Sequence, residues 1–531
     1  MRTGCYSLCQ VVDRSRYNVT RFVFNHGKSI EELGGIEKAC GLINRMSEIR
    51  DQILFAQSAA RSLEPSVASR NTVESAVFEY AARFLDDIGS VKAYETRAGK
   101  GEGLLDSPIS EECIDIEDAL DLIRTNVDTP GLNPASGGHL AYIPGGGIYY
   151  SALGDYLADV FNRYAGVFYA SPGAVRMENM LIHWMCDLVG FPSNAGGNLT
   201  SSGSLANLIA IVTARDAKQI RSAEIPRSVI YLSKQAHHSV DKGIRVAGLS
   251  ECMLRYIDID ERFKMSPADL EAKIAEDKAQ GLNPFMVVAS AGTTDVGAID
   301  PLPEIGAIAN ANELWYHIDA AYGGFFILTE DGKEKLKGLE LADSIVIDPH
   351  KGLFLPYGLG VVLVKEVEDL KRSYGFSANY MQDAFAAPDE VSPAEVSPEL
   401  TKHFRGLRLW LPLKLHGLAP FRACLDEKLM LAKYFHTEIQ KLGFESDLEP
   451  ELSVVTYRYV PESGNTDDFN RELLRRVIDD GRIFLSSTIL NGKFTLRFAC
   501  LAFRTHLNTV DTLLGVLRAN VNELERSSHS S

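Results

Sequence analysis

Five short segments carry residue types that can do chemistry on an amine. Asp319 closes LWYHID (314–319) and is followed by AAYGG, while Asp348 closes SIVID and is followed by Pro349, His350 and Lys351. FMVVASA (285–291) runs into Gly292, Thr293 and Thr294, and SVIYLS (228–233) runs into Gln235, Ala236, His237 and His238. The fifth, TSSGS at 200–204, puts hydroxyls and a glycine where a helix begins. Free backbone N–H groups at such a start suit a phosphate. Each piece alone is ordinary. A Ser/Gly turn is an everyday N-cap, an Asp after a strand is an everyday turn former, and a histidine pair or a loop lysine is usually just solvated.

The elements around these residues follow from period and punctuation. Ser171 with Pro172 predicts a helix start, and Met177, Leu181, Trp184, Met185 and Leu188 share an apolar face that Gly190 closes. A second helix is expected from Leu205 to Arg215. A third opens at Ser266, Pro267 and Asp269, in a capping-box arrangement, and ends near Gly281. SVIYLS, FMVVASA, LWYHIDA, SIVID and GLGVVLVK (358–365) are apolar runs of strand length separated by helices. That pattern means an α/β domain with a mostly parallel sheet and helices on both faces. Ligands bind such sheets beyond the carboxyl ends of the strands, so the segments converge on one rim. An anion cradle, a carboxylate, an aromatic base and an amine are what a pyridoxal phosphate site requires. They serve as anchor, ring-nitrogen partner, stacking group and Schiff-base lysine.

The flanks read differently. Residues 1–134 are expected to be mostly helical, with apolar helical spacing around Leu42 to Leu54 and Val73 to Leu85 and a Gly-rich loop from Ala98 to Ser110. They show no strand–helix alternation of their own and are expected to pack on the main domain or a second subunit. Residues 135–410 form the large domain. Within it, 375–400 has no clear period, and a loop of that length is functional or disordered. Residues 411–531 read as a small α+β domain: a helix at 420–442, then SVVTYRYV (453–460), a helix, RIFLSS (482–487), FTLRFACL (494–501) and a final helix. The tail ERSSHSS is expected to be disordered.

Composition narrows the classes. The 531 residues allow about three domains at roughly 100–200 residues each. Hydrophobic residues at 45% and charged residues at 24% are those of a globular chain, and no apolar run reaches the ~18 residues of a membrane span. The formal charge of −17 argues against binding a nucleic-acid backbone. Eight cysteines, none in CxxC spacing, make neither a disulfide scaffold nor a zinc site, and no metal is expected. A reducing, cytoplasmic location is expected. The first 25 residues carry four arginines but no apolar signal core, and read as a frayed extension rather than a transit peptide.

HIDAAYGG, DPHKGLFLPYG and SVIYLSKQAHHSV resemble the group II pyridoxal-phosphate-dependent amino-acid decarboxylases, the family of aromatic-amino-acid and glutamate decarboxylases. The resemblance runs from about Asn133 to the C-terminal helix. It implies the aspartate-aminotransferase-like fold type I and an N-terminal helical arm that clasps a second subunit. It also implies a homodimer with its active sites at the interface. Lys351 resembles the lysine that holds the cofactor as a Schiff base, Asp319 the acid that pairs with the pyridine nitrogen, and His237 the histidine stacked on the ring. Ser202, Gly203 and Ser204 resemble the phosphate turn. Thr294 resembles a hydroxyl lining the cofactor and substrate carboxylate, and His350 a support for the phosphate or the Schiff base. Tyr380, in the region of the family's mobile catalytic loop, resembles the tyrosine that protonates the substrate carbon, although it lies early in that loop. GGHLAYIPGGGIYY (137–150) resembles the segment lining the substrate side chain, and His139, Tyr142, Phe168 and Tyr169 are its candidate pocket residues. Arg497 is a candidate carboxylate ligand, with a structural role as the alternative. Two positions depart from the usual pattern. Leu205 replaces an acid in the phosphate turn, and Asp348, an Asn in many members, is expected to face away from a phosphate or to be paired.

The resemblance thus implies decarboxylation of an L-amino acid to the amine and CO₂, by way of an external aldimine and a quinonoid. The alternatives are an aldehyde synthase, another carbon–carbon lyase such as a phospho-sphingoid aldolase, and a non-enzymatic scaffold that binds the cofactor. No second anion site or amphipathic entry surface favours the aldolase, and the joint presence of Lys351, Asp319 and His237 disfavours the scaffold.

Overall fold

The apolar runs are buried on both faces, as a parallel sheet demands. In Ser228–Ser233, Val229 and Tyr231 enter one core while Ile230 and Leu232 enter another. Asn283–Ser290 repeats the alternation, with Val287 and Ala289 opposite Met286 and Val288. The computed structural model describes residues 49–96, 100–375 and 390–528. Among the described residues seven strands make the large sheet: β1 (Gly196–Thr200), β2 (Ser228–Ser233), β3 (Met253–Ile257), β4 (Asn283–Ser290), β5 (Trp315–Asp319), β6 (Ser344–Ile347) and β7 (Gly360–Val364). Across the sheet they run β1-β7-β6-β5-β4-β2-β3. β7 is antiparallel to both its neighbours and every other adjacent pair is parallel, so β7 alone is reversed.

Two strands escape a reading by period. β1 is GGNLT, poor in strand-forming side chains. It fits because Gly197 is bare: a Cβ there would stand 2.1 Å from the Val362 carbonyl oxygen. β3 is a mostly half-exposed edge. Helix starts differ in detail from expectation. The helix expected from Leu205 spans Gly203–Ala217, capped by Ser202, whose hydroxyl accepts the Leu205 N–H at 3.4 Å. Ser171 makes no cap bond, so Pro172 with its fixed φ begins Pro172–Leu188. Ser266 caps Pro267–Ala279 through the Asp269 N–H, but no capping box closes, because the Asp269 carboxylate goes to the Asp258 N–H and Lys273.

The C-terminal strands β8 (Phe444–Glu445), β9 (Val454–Tyr459), β10 (Ser486–Leu490) and β11 (Lys493–Ala499) form an antiparallel sheet ordered β8-β9-β11-β10. Helices Ala419–Lys441, Thr466–Asp480 and Leu507–Ser528 accompany it, and Phe435 stacks on Phe498 at 4.3 Å in its core. The strand expected at 482–487 is displaced to Ser486–Leu490. Phe484 instead bonds the segment before it, taking the Leu140 N–H and donating to the Gly138 carbonyl, both at 2.9 Å.

The described residues of Met1–Asp86 and Ile109–Leu122 form one compact unit, and those of Asp87–Pro108 and Ile123–Ser531 another. In the first, helices Ile49–Ala59 and Val67–Asp87 bury no residue, and Ile49, Ile53, Leu54, Val67, Val73 and Val77 are exposed. Of the stretch from Gly375 to Leu400, residues 376–389 lie outside the described residues. From Glu390 onward it is anchored: Ser392 and Glu395 form a capping box, Asn179 donates to Glu390 and the Val391 carbonyl, and the Ser392 hydroxyl accepts the Phe168 N–H. Just beyond, the buried Lys402 pairs with Glu178 at 2.6 Å and reaches Asn198 in β1 at 3.3 Å. Among the described residues no helix is long and apolar enough to cross a membrane.

Candidate active site

Strand direction builds the rim. β1, β2, β4, β5 and β6 bring their carboxyl ends to it, and the reversed β7 brings its first residue, Gly360, to the same edge. Gly360 packs directly under the Ser202–Gly203 turn. A Cβ on it would lie 2.4 Å from the Ser202 carbonyl carbon and 2.6 Å from the Gly203 nitrogen. Thr200 donates its hydroxyl to the Ser202 carbonyl at 2.8 Å and braces the turn from β1. Ser202, Gly203 and Ser204 therefore stand at the start of a 15-residue helix, where backbone donors and the helix dipole favour an anion.

Lys351 sits on the short turn Pro349–Gly352 after β6. Its Nζ lies 3.2 Å from Asp348 Oδ2, and its side chain is about one-quarter exposed (27%), so the amine can be reached. Asp348 thus meets the expectation of being paired, but it does not face away from the turn: a Cβ on Gly203 would be 2.6 Å from its Oδ2. Its other oxygen, Oδ1, is buried and has no hydrogen-bond partner among the described residues. His350 donates its Nδ1–H to the Leu359 carbonyl and holds Nε2 3.7 Å from Asp348. Burial lowers the His350 pKa, against the pull of Asp348, so the ring is held neutral.

Asp319, at the end of β5, is 8% exposed. Oδ2 accepts the Asn207 amide at 3.0 Å and Oδ1 accepts the Ala321 N–H at 3.1 Å. His237 is half-buried, with Nδ1 2.7 Å from the Ser239 hydroxyl and its ring 4.0 Å from that of the exposed His238. Its pKa is lowered mainly by burial, with Asp319 and Asp348 opposing and His238 and Lys351 adding to the shift. Hydrogen bonds through Asn207 and Ser239 join Asp319 to His237, and Asp348, paired with Lys351, lies beside Gly203 at the start of the helix that carries Asn207.

The other expected residues take no part in these hydrogen bonds or lie outside the described residues. Thr294 is exposed, and among the described residues its hydroxyl bonds none of this cluster. Its carbonyl is instead held by Arg497, which also donates to the Asp295 carbonyl (2.9 Å) and the Ser486 hydroxyl (2.8 Å). Arg497 is thereby a brace between β11 and the loop after β4. His139 is fully buried, its ring edge-on to Tyr142 (6.0 Å) and to Phe484 (5.9 Å). Phe168 carries Arg176 over its ring at 5.0 Å, and Tyr169 beside it is exposed. No ring contact joins His139 and Tyr142 to Phe168 and Tyr169 within the described chain. Tyr380 lies outside the described residues. Sequence reading missed Asn207, Ser239, His317 and Gly360. A signal existed for two of them: His317 shares a strand face with Asp319, two positions on, and Asn207 is a polar residue one turn into an apolar helix.

These residues fit pyridoxal phosphate. Asp319 keeps lone pairs for a protonated ring nitrogen, the first backbone N–H groups of a 15-residue helix stand at the Ser202–Ser204 turn, and the Lys351 amine is within reach of solvent. Among the described residues no group of three or more His, Cys, Asp or Glu could hold a metal ion.

The chain is similar to known proteins over most of its length. Residues 104–460 match the pyridoxal-dependent decarboxylase conserved domain. An aromatic-L-amino-acid decarboxylase of Bacillus atrophaeus is 34% identical over 409 residues, covering 76% of this chain and 83% of the relative. A phenylacetaldehyde synthase of Arabidopsis thaliana is 30% identical over 401 residues, covering 72% and 81%. The structure of Oryza sativa TDC with PLP and tryptamine superposes with a TM-score of 0.82 at 23% identity, over 87% of this chain and 99% of the other.

Proposed function

The chain belongs to the pyridoxal-dependent decarboxylase family and is a pyridoxal-phosphate-dependent amino-acid carboxy-lyase, and from that premise we propose that its substrate is an L-amino acid with an aromatic or apolar side chain, converted to the amine and CO₂. The observation that carries the reading is that Asn207, one turn into the helix that starts at Gly203, links Asp319 to Ser239 and so to His237, while Lys351 pairs with Asp348 beside Gly203. When bound, pyridoxal phosphate supplies an electron sink for the bond to the departing carboxylate. Lys351 would make the covalent attachment and Asp319 would keep the ring nitrogen protonated. His237 would cover a ring face, and Ser202, Gly203 and Ser204 would hold the phosphate with His350 in support. Thr294, at the rim, would line the carboxylate side. His139, Tyr142, Phe168 and Tyr169 would favour an aromatic side chain, as the names of several relatives suggest.

The N-terminal helices would act as a dimerisation arm. Their exposed Ile49, Ile53, Leu54, Val67, Val73 and Val77 form apolar surface that a second copy would cover, with the active site near that interface.

Tyr380 would deliver the proton to Cα. A second reading, an aldehyde synthase, is favoured by the Arabidopsis relative. In that reaction the amino acid, O₂ and water give aldehyde, CO₂, ammonia and peroxide. The test is a panel of L-amino acids assayed for CO₂, amine, aldehyde and peroxide, with and without oxygen. Equal CO₂ and amine from an aromatic substrate supports decarboxylation, and aldehyde with peroxide supports the second reading. Tyr380→Phe should shift a decarboxylase toward aldehyde. No CO₂ from any substrate, or borohydride labelling that survives Lys351→Ala, would overturn the proposal.

A further inference from the structure

Asn207 lies one turn into Gly203–Ala217 and is 1% exposed. Its amide nitrogen is 3.0 Å from Asp319 Oδ2 and 3.0 Å from Ser239 Oγ, and its oxygen is 2.9 Å from His317 Nε2. An ionised carboxylate only accepts, so the amide nitrogen must be the atom facing Asp319, and the orientation of the amide is settled. The amide oxygen then needs a donor, which places the His317 proton on Nε2. Burial holds His317 below its ordinary pKa and therefore neutral, so its Nδ1 is a bare acceptor. The Ser344 hydroxyl, 2.8 Å away, donates to that nitrogen and accepts the Trp315 Nε1–H, a group that can only donate, at 2.8 Å.

The other branch is equally directed. The second Asn207 N–H goes to Ser239 Oγ, which leaves the Ser239 proton for His237 Nδ1 at 2.7 Å. The Ser239 backbone N–H points at the same Nδ1 from 3.3 Å. With donors aimed at Nδ1, the one proton of a neutral His237 sits on Nε2. Trp315 at one end can only donate, Asp319 at the branch can only accept, and this assignment satisfies both.

We propose that Asn207 is a positioning residue: through one directed run of hydrogen bonds it orients the Asp319 carboxylate and leaves His237 with its proton on Nε2. His237 then offers its neighbours a hydrogen-bond donor rather than a base. The proposal rests on the roles given above to Asp319 and His237, and its test does not use turnover. The full chain, free of cofactor and labelled with ¹⁵N-histidine, reports each ring's tautomer by NMR, with the His237 signals assigned by their loss in His237→Asn. The wild type should show His237 protonated at Nε2. In Asn207→Leu, close in size and without a donor, the Ser239 hydroxyl oxygen loses the N–H it accepts and is free to accept from His237 Nδ1. A share of His237 should then carry its proton on Nδ1. Ser239→Ala, which leaves Asn207 on Asp319, should give a mixture of tautomers. A wild-type His237 protonated at Nδ1 overturns the proposal. So does a folded Asn207→Leu or a Ser239→Ala that keeps the pure Nε2–H form, since the backbone donor alone would then suffice. Borohydride labelling at Lys351 tests the functional reading separately: labelling with an unchanged tautomer would leave that reading standing and remove only this proposal.

Discussion

The Lys351 ammonium lies 3.2 Å from Asp348, three residues back on the same turn, and the carboxylate that holds it also packs against Gly203 at the helix start. A lysine in this pair must leave it before its nitrogen can attack an aldehyde. Asp348→Asn, which keeps the shape and removes the charge, should therefore speed capture of pyridoxal phosphate by cofactor-free protein several-fold, by roughly the ~1 kcal/mol scale of a partly solvated pair. Growth of the Schiff-base absorbance after rapid mixing measures it. An unchanged or slower rate would show that the pair does not limit capture.

Gly360 is where a missing side chain matters most. A methyl group there would press on the Ser202 carbonyl carbon, the Gly203 nitrogen and Asp348 Oδ1, at 2.4, 2.6 and 2.8 Å. Gly360→Ala should weaken cofactor affinity by about tenfold or more through displacement of the backbone donors of the turn. Gly173→Ala, at an exposed helix start with open space around the new methyl, is the control. Equal dissociation constants in an absorbance titration would contradict this account of the turn.

Lys402 and Glu178 are buried together, with Glu178 also accepting the Arg405 and Gly406 N–H groups. Lys402→Met should destabilise the chain by about 3–5 kcal/mol, because it strands a buried carboxylate. Adding Glu178→Gln should restore part of that loss. Guanidinium denaturation of the two variants against wild type checks both signs, and a loss below about 1 kcal/mol in the single variant would contradict it.

Stability should also fall with acid through His139. Burial lowers its pKa from 6.5 to about 4, so between those values the unfolded chain binds a proton that the folded chain does not. The stability His139 contributes is complete above pH 6.5 and is lost as the pH falls toward 4, by about 3 kcal/mol in total. Unfolding free energies at about pH 7.5 and about pH 4.5 should differ less in His139→Gln than in wild type. An identical pH dependence would mean His139 is not held neutral.

Much of the site was legible in the chain because it lies at strand ends. The apolar runs of β2, β4, β5 and β6 announce a parallel sheet, and the rule that ligands bind beyond its carboxyl ends selects Asp319, His237 and Lys351 without coordinates. What period and local propensity could not reach is whatever depends on which strands lie side by side. β1 gives no strand signal because glycine and asparagine serve close packing there rather than local preference. The reversal of β7, which carries Gly360 to the rim, is a matter of sheet order. Asn207, Asp319 and Ser239 meet across separations of 112 and 32 residues, although each looks unremarkable where it stands. Thr294 follows a strand end as the others do, and the hold on its carbonyl comes from Arg497 in β11, a contact that only the packed C-terminal sheet supplies. Residue type and strand position determined which groups could act. Their pairing and orientation came from tertiary structure, because a hydrogen bond needs its partner within about 3 Å, and only the packed sheet brings such distant residues that close.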